Sequence, residues 1–208
     1  MIKPKVLLTT FVPFGGESVN PAQLCGELVH SDIAQIMRVD LPVSYAKVGV
    51  AAAQAVENVK PDMVLCLGQA AGRQGLSFER VAINIDDAQI CDNCGELRCD
   101  LAIEPLGKTA YFSTLPIKAM INAAQEVGIP AWLSNSAGTY VCNHLLYELL
   151  HNFLDIPCGF VHVPLVKEQA EQRLSCGKVT QLEPYLSPES AAKGISAAID
   201  TAIASIGL

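Results

Sequence analysis

The sequence predicts an α/β protein, folded as a single-domain α/β/α sandwich with a mostly parallel, twisted central sheet. Three observations support this fold class. Strand-like and helix-like segments alternate along most of the chain, as they do in sheets covered by helices. Several strand-like runs are apolar at every position, which is typical of strands buried on both faces. No internal repeat or linker divides the 208 residues, so we expect one domain over residues 1–208.

Composition excludes several classes of function. Half of the residues are hydrophobic and only 17% are charged, which indicates a compact globular protein rather than a disordered one. The formal net charge of -7 and the lack of a basic block argue against a nucleic-acid partner. No apolar run approaches the ~20 residues of a membrane span, and no export signal precedes the first strand. We therefore expect a cytoplasmic protein whose eight cysteines are reduced thiols.

The first half of the chain should contain three strands and two helices. Asn20 and Pro21 give an N-cap followed by proline, so a helix should begin at Pro21 and run to about Val29. Ser44 is expected to cap the next helix, which ends before Pro61. The strands are expected at Lys5–Thr10, Ile36–Val43 and Met63–Leu67.

The second half continues the alternation around a long polar excursion at residues 86–104. Helices should begin after Pro116, near Val141, and after the N-cap Ser187. The expected strands are Leu76–Asp86, Ala131–Leu133 and Cys158–Val163. Ligands bind at the carboxyl ends of the strands in such sheets. The loops after the first strand, the third strand and Ala131–Leu133 should therefore share one crevice.

Cys142 is the candidate nucleophile. A strand-like run ends in a small-residue turn that contains Gly138, and a helical pattern begins near Val141. Cys142 should therefore lie at or just before a helix N-terminus, where backbone N–H groups and the helix dipole favour the thiolate. The same amides can stabilise an oxyanion that forms when the sulfur attacks a carbonyl. The alternative is a small buried residue at a helix–strand junction.

A thiol nucleophile needs a base, and the base needs a group that orients its imidazole. His162 lies in an apolar strand, so it is either that base or a core histidine with a hydrogen-bonded partner. Glu79 poses the same question, with an ion pair to Arg80 as the structural alternative. His144 follows Cys142 by two positions and should point around the helix, away from the sulfur. The remaining histidines are expected at the surface or as helix caps: His30 and His151.

Three further cysteines lie close together in a polar loop: Cys91, Cys94 and Cys99. C-x-x-C spacing begins many zinc and redox sites, but no second pair follows here and the nearest histidines are distant in sequence. Two interpretations stay open, a zinc or redox site and an incidental cluster, and we expect no metal.

Six segments of the chain occur in the order typical of a known family. They are FVPFGGESVNPA, LGQAAGR, FERVAINIDDAQICDN, AYFSTLPIKAM, SNSAGTYVCNHLLYELLH and GFVHVPLVKEQ. They resemble the corresponding blocks of the pyrrolidone-carboxylate peptidases (pyroglutamyl peptidase type I) and lie between Val6 and Gln169. The resemblance implies a single α/β/α domain that assembles into a homo-oligomer, a dimer or a tetramer.

That family uses a Glu–Cys–His triad, and the resemblance assigns its positions to Glu79, Cys142 and His162. It implies hydrolytic removal of an N-terminal pyroglutamyl residue from peptides through a thioester, with no metal or other cofactor. The substrate's lactam is small and uncharged, so its pocket should be apolar with a few amide hydrogen bonds. The family's pocket positions correspond to Phe11, Phe14 and Gln69, and Ile90 and Val141 would complete the pocket. Ordinary core packing is the alternative for the two phenylalanines.

The chain departs from the family pattern beside this pocket. Gln89 stands where the family commonly has an arginine, and Cys91 and Cys94 replace a proline and a glutamate. The leading hypothesis is an active pyroglutamyl peptidase. The second is a non-catalytic homologue that binds pyroglutamyl peptides with impaired turnover.

Overall fold

The structure is a computed structural model, and it describes residues 3–208. In that range its strands are β1 Lys5–Phe11, β2 Gln35–Leu41, β3 Met63–Gln69, β4 Leu76–Glu79, β5 Val81–Ile83, β6 Ala110–Phe112, β7 Ala131–Ser134 and β8 Cys158–Val163. Its helices are α1 Pro21–Leu28, α2 Tyr45–Val59, α3 Ile117–Glu126, α4 Val141–Asn152, α5 Lys167–Ser175 and α6 Pro188–Ile206. None of these helices is long and apolar enough to cross a bilayer.

Six strands form the central sheet in the order β2-β1-β3-β8-β4-β7. Every neighbouring pair is parallel except β4 with β8, which confirms the expected mostly parallel sheet. The β4–β7 pair runs opposite to the other four strands. The loop after β7 therefore leaves the sheet at the edge opposite to the loops after β1 and β3. The expectation of one shared edge is wrong, because the apolar pattern of a strand does not encode its direction.

Helices cover both faces of the sheet and bury two apolar cores, as the expected α/β/α sandwich requires. Helices α1, α3 and α6 pack on one face, and α2 and α4 pack on the other. Side chains alternate along each strand: in β8, Val161 and Val163 enter the first core and Phe160 enters the second. This alternation determines which strand residues can reach α4.

The run expected as one strand over Leu76–Asp86 is two strands in different sheets. β4 belongs to the central sheet, whereas β5 pairs antiparallel with β6 in a small second sheet. The chain changes sheets at Arg80, whose N–H donates to the Ser134 carbonyl and whose carbonyl accepts from the Ser113 N–H. Apolar β-branched residues suit either sheet, so the sequence pattern gives no sign of the break.

Two of the three expected N-caps are confirmed. The side chains of Asn20 and Ser187 accept hydrogen bonds from the backbone N–H groups of Ala22 (3.0 Å) and Ser190 (3.2 Å). Ser44 occupies the N-cap position of α2, but its side chain makes no capping bond. The carboxylate of Asp92 accepts from the Tyr45 N–H at 3.0 Å in its place. Helix α5 was not expected, because its apolar residues are too few to show a stripe.

Candidate active site

Strand alternation turns Gly68 of β3, Glu79 of β4 and His162 of β8 toward α4. In the register of the sheet, Gly68 is the partner of His162 on one side. Ser77, two residues before Glu79, is its partner on the other side. Three adjacent strands therefore place a carboxylate, an imidazole and a position without a side chain on one face.

Helix α4 places the sulfur of Cys142 over this face. Cys142 is the second residue of the helix, and its Sγ lies 3.0 Å from the point that a Cβ on Gly68 would occupy. A side chain at position 68 would collide with both the sulfur and the ring of Phe160. The glycine thus permits the close approach of α4 to β3, next to the strand that carries His162. Sequence reasoning did not identify this role of Gly68.

The start of α4 is held by the side chain of Asn143, which is fully buried. Its Oδ1 accepts from the Ile83 N–H at 3.0 Å, and its Nδ2 donates to the carbonyls of Ile83 (2.9 Å) and Ile85 (3.1 Å). These three bonds attach the first turn of the helix to β5 and to Ile85 just after it. Cys142 therefore sits on a fixed element, with its own backbone N–H beside its sulfur.

His162 and Glu79 form a buried pair. Nδ1 of the ring lies 2.8 Å from Oε1 of the carboxylate, and the two side chains are 5% and 0% exposed. When Nδ1–H donates to the carboxylate, the free lone pair of the imidazole lies on Nε2. A core histidine would also need such a partner. The nearby sulfur of Cys142 favours the catalytic interpretation.

The ion pair of Glu79 is made with Arg73 rather than with Arg80. Nη2 of Arg73 lies 3.6 Å from Oε1 of the carboxylate, and its side chain is partly exposed. The other oxygen, Oε2, is buried without a hydrogen-bond partner among residues 3–208. The carboxylate therefore depends on His162 for its hydrogen bond.

The thiol of Cys142 is neutral in this environment. Burial, followed by repulsion from Glu79 and Cys66, raises the pKa of the thiol to about 12. The backbone N–H of the cysteine itself lowers this pKa by a smaller amount. The expectation that the helix terminus favours the thiolate is wrong here, because desolvation outweighs the helix amides. An attack by this sulfur would therefore need a base to take its proton.

A cavity of about 360 Å³ is lined by Gln69, which directly follows Gly68 at the end of β3. Three of the five residues expected in the substrate pocket line it, namely Phe14, Gln69 and Ile90. Phe11 and Val141 are buried instead in the core against which Cys142 packs. Oε1 of Gln69 is buried and has no partner within the described part of the chain. The cavity thus offers apolar surface from Phe14 and Ile90, one free amide acceptor, and a charged side formed by Glu17, Arg173 and Lys178.

The polar excursion after β5 is a folded loop that supplies one wall of the cavity, through Ile90 and Cys91. Its ends pair at Asp86 and Leu101 by two backbone hydrogen bonds. Oη of Tyr140, the N-cap residue of α4, donates to the Cys91 carbonyl at 3.0 Å. The wall and the nucleophile are therefore attached to each other.

A buried charge cluster joins this loop to α4. One oxygen of Asp86 lies 2.8 Å from Nδ1 of His144 and 2.8 Å from Nη1 of Arg98. Nε2 of His144 faces Glu148 at 3.6 Å. Burial alone would lower the pKa of His144, but the hydrogen bond to Asp86 and the nearby carboxylate of Glu148 raise this pKa to about 9. His144 points away from the sulfur, as expected, but its partners were not apparent from the sequence.

This cluster predicts a loss of stability at alkaline pH. The folded-state pKa of His144 is raised, so its contribution is complete below about pH 6.5 and is lost as the pH rises through about 9. The loss should be about 3 kcal/mol at most. We expect urea unfolding to show this decline between pH 7 and about pH 10, and Asp86→Asn to reduce it. Equal declines in the wild type and in Asp86→Asn would contradict the assignment.

Cys91, Cys94 and Cys99 are exposed, unpaired thiols. Across residues 3–208, no group of three or more histidine, cysteine, aspartate or glutamate side chains is arranged to hold a metal ion. Gln89 is exposed on the same loop. Of the other two histidines, His30 is exposed and Nδ1 of His151 lies 2.8 Å from Oη of Tyr111.

The chain matches a family model described as pyroglutamyl peptidase over residues 4–205. The chain belongs to the pyroglutamyl peptidase family. Members are cysteine-type hydrolases, and this chain is an enzyme of that class.

Similar proteins support the same assignment to the pyroglutamyl peptidase family. A pyrrolidone-carboxylate peptidase of Caldanaerobacter subterraneus is 43% identical over 201 residues, covering 94% of this chain and 96% of that protein. One from Streptococcus pyogenes is 48% identical over 172 residues, covering 79% and 80% of the two chains.

Solved structures of the pyroglutamyl peptidase family share this fold. A mutant pyrrolidone carboxyl peptidase from Pyrococcus furiosus has a TM-score of 0.90 at 39% identity, covering 97% of this chain and 99% of the other. Pyroglutamyl peptidase I from Bacillus amyloliquefaciens has a TM-score of 0.88 at 36% identity, covering 97% and 95%.

Proposed function

We propose that this enzyme hydrolyses the bond after an N-terminal pyroglutamyl residue, using Cys142, His162 and Glu79. The observation that carries the proposal is the sulfur of Cys142 above Gly68, the strand partner of His162, whose ring is bound to Glu79. Family membership supplies the class of reaction. The named residues supply a nucleophile, a base and an orienting carboxylate.

In the first half of the reaction, His162 removes the proton from the Cys142 thiol as the sulfur attacks the pyroglutamyl carbonyl. Because burial raises the pKa of this thiol to about 12, proton transfer accompanies attack and no standing thiolate is required. A carbon–sulfur bond forms and the carbonyl oxygen becomes an oxyanion. N–H groups in the first turn of α4 stabilise that charge.

Collapse of the tetrahedral intermediate breaks the carbon–nitrogen bond. The protonated His162 gives its proton to the departing amine, which leaves as the shortened peptide. Water then attacks the thioester while His162 accepts one of its protons, and that proton returns to the sulfur when the bond to Cys142 breaks. Glu79 keeps the ring oriented and stabilises its positive charge throughout.

We infer that the cavity lined by Gln69 takes the neutral lactam. Phe14 and Ile90 offer apolar walls, and the buried, unpartnered Oε1 of Gln69 can accept the lactam N–H. We infer that Phe11 and Val141 do not contact the lactam. They act indirectly, by fixing the position of Cys142, which packs against the same core. Glu17, the carboxylate in the lining, already lies 3.7 Å from Arg173 and from Lys178, so the charged amine of an ordinary N-terminal amino acid would have to compete with those cations.

The decisive experiment compares pyroglutamyl-aminocoumarin with prolyl-aminocoumarin, which has a ring of the same size but a charged amine. We expect release of the fluorophore from the pyroglutamyl conjugate alone. Binding of pyroglutamate without any release would support the non-catalytic alternative. Equal rates on the two conjugates would contradict recognition of the lactam.

We also propose in which compartment the enzyme works and how it assembles. All eight cysteines lie in the described part and are unpaired, which supports a reducing compartment such as the cytoplasm. We propose assembly into a dimer or tetramer on the strength of the family resemblance. Light scattering of the purified protein would measure the assembly.

A further inference from the structure

A second cavity continues from the first. It has a volume of about 600 Å³ and lies between the turn at Gly72 and Gln74 and the segment 178–184. Lys178 lines both cavities. On the opposite wall, Ala71 of the first cavity is followed directly by Gly72 of the second. The two cavities therefore form one groove that runs away from the lactam pocket.

The outer wall of this groove has free backbone groups. Residues 179–184 are neither helix nor strand. Within the described chain, the N–H groups of residues 179–183 donate to no protein acceptor, and their carbonyls accept from no backbone donor. The neighbouring groups on either side are bound: the Lys178 N–H donates to Arg173 and the Leu186 N–H donates to Leu165. An extended peptide laid against this wall could make main-chain hydrogen bonds.

Two cations, Arg173 and Lys178, and two carboxylates, Glu17 and Glu183, line the groove, and the two cations differ in how exposed they are. Arg173 is held by a hydrogen bond from its Nε to Glu183 and lies 3.7 Å from Glu17. Nζ of Lys178 also lies 3.7 Å from Glu17, which is beyond hydrogen-bond length. The side chain of Lys178 is 51% exposed, against 23% for Arg173. Lys178 is therefore the cation that a ligand in the groove can reach.

We propose that the peptide downstream of the pyroglutamyl residue lies along this groove, pairing with residues 179–183, and that Lys178 makes the enzyme prefer peptides with a carboxylate there. This inference rests on the proposed function, because it concerns the part of the same substrate that leaves as the amine. A carboxylate near Lys178 is attracted to its ammonium group, but the pair stays exposed to solvent, which screens the attraction. The preference for a carboxylate is therefore modest in size.

The test measures kcat/KM for two series of pyroglutamyl peptides with blocked C-termini. Each peptide carries either glutamate or lysine at the first, second or third position after pyroglutamate. We expect the wild type to favour glutamate by about threefold to tenfold at one of these positions, with the preference weakening at high salt. Lys178→Glu should reverse it. Lys193→Glu, on the exposed side of α6 and outside both cavities, is the matched control.

Each rate is divided by that for pyroglutamyl-aminocoumarin, which has no downstream peptide. Pairing with residues 179–183 further predicts a severalfold rise in this ratio when the peptide is lengthened from one downstream residue to four. Equal rates for glutamate and lysine at all three positions, unchanged by Lys178→Glu, would overturn the groove assignment alone. A wild type that fails to cleave pyroglutamyl-aminocoumarin would instead overturn the proposed function. Circular dichroism of Lys178→Glu establishes that this variant is folded.

Discussion

Replacing Cys142 with alanine is expected to lower kcat/KM on pyroglutamyl-aminocoumarin by about 10⁴-fold or more. In the proposed mechanism the substitution removes the atom that forms the thioester, and the only sulfur among the three atoms nearest to the Cβ position of Gly68 is that of Cys142. Stability should change little, because the cysteine is partly buried and alanine suits a helix. Steady-state kinetics with an active-site titration measures the loss.

Cys99→Ala is the matched control for this variant. Cys99 is an exposed thiol in the loop after β5 and contributes to neither cavity described above. It should retain the rate of the wild type. Iodoacetamide should inactivate both the wild type and Cys99→Ala. Full turnover by Cys142→Ala would remove this cysteine from the mechanism.

Glu79→Gln is expected to lower kcat by about 10³-fold or more without unfolding the protein. The glutamine amide can donate to Nδ1 of His162, which moves the ring proton to Nε2. The nitrogen that should accept the thiol proton is then already protonated. The kinetic signature is a fall in kcat that exceeds any change in KM, together with an altered pH profile.

Thermal unfolding separates this effect from a structural one, because the amide has the shape of the carboxylate it replaces. Glu126→Gln, an exposed change at the end of α3, should leave both the rate and the unfolding temperature unaltered. Turnover by Glu79→Gln within tenfold of the wild type would show that the carboxylate does not orient the base.

Local chemistry made much of the fold predictable. Asn20 followed by Pro21, and Ser187 followed by Pro188, define helix starts through interactions within a few residues, and both starts agree with the structure. Ser44 has the same local signal, yet its helix is capped by Asp92 from a distant loop. Local signals therefore located the element but not the group that caps it.

Strand direction and sheet membership depend on contacts that are remote in sequence. The break at Arg80 and the reversed direction of β4 have no counterpart in the apolar pattern of Leu76–Asp86. The reversed direction of β7 is likewise absent from its own apolar pattern. Buried polar residues could be found in advance, since His162 in an apolar strand implies a partner. The identity of that partner required a resemblance to known proteins, and the hydrogen bond between Glu79 and His162 is visible only in the structure.

The roles of Gly68 and Asp86 are the clearest examples of what the sequence could not predict. Gly68 matters because two elements approach each other above it, and a glycine in a strand does not reveal what lies over it. Asp86 binds both His144 and Arg98, and opposite charges within a polar loop are too common to predict such a cluster.

Because Gly68 has no side chain, helix α4 rests on β3 without interlocking with it, and this affects how the proposed catalytic groups respond to heating. The acid and the imidazole belong to neighbouring strands of the central sheet, whereas the sulfur arrives on a helix that reaches the sheet across a glycine. A small loosening of that helix would separate the sulfur from its base while the strands remained paired. If the proposed mechanism holds, we therefore expect activity to be lost on heating before the central sheet unfolds.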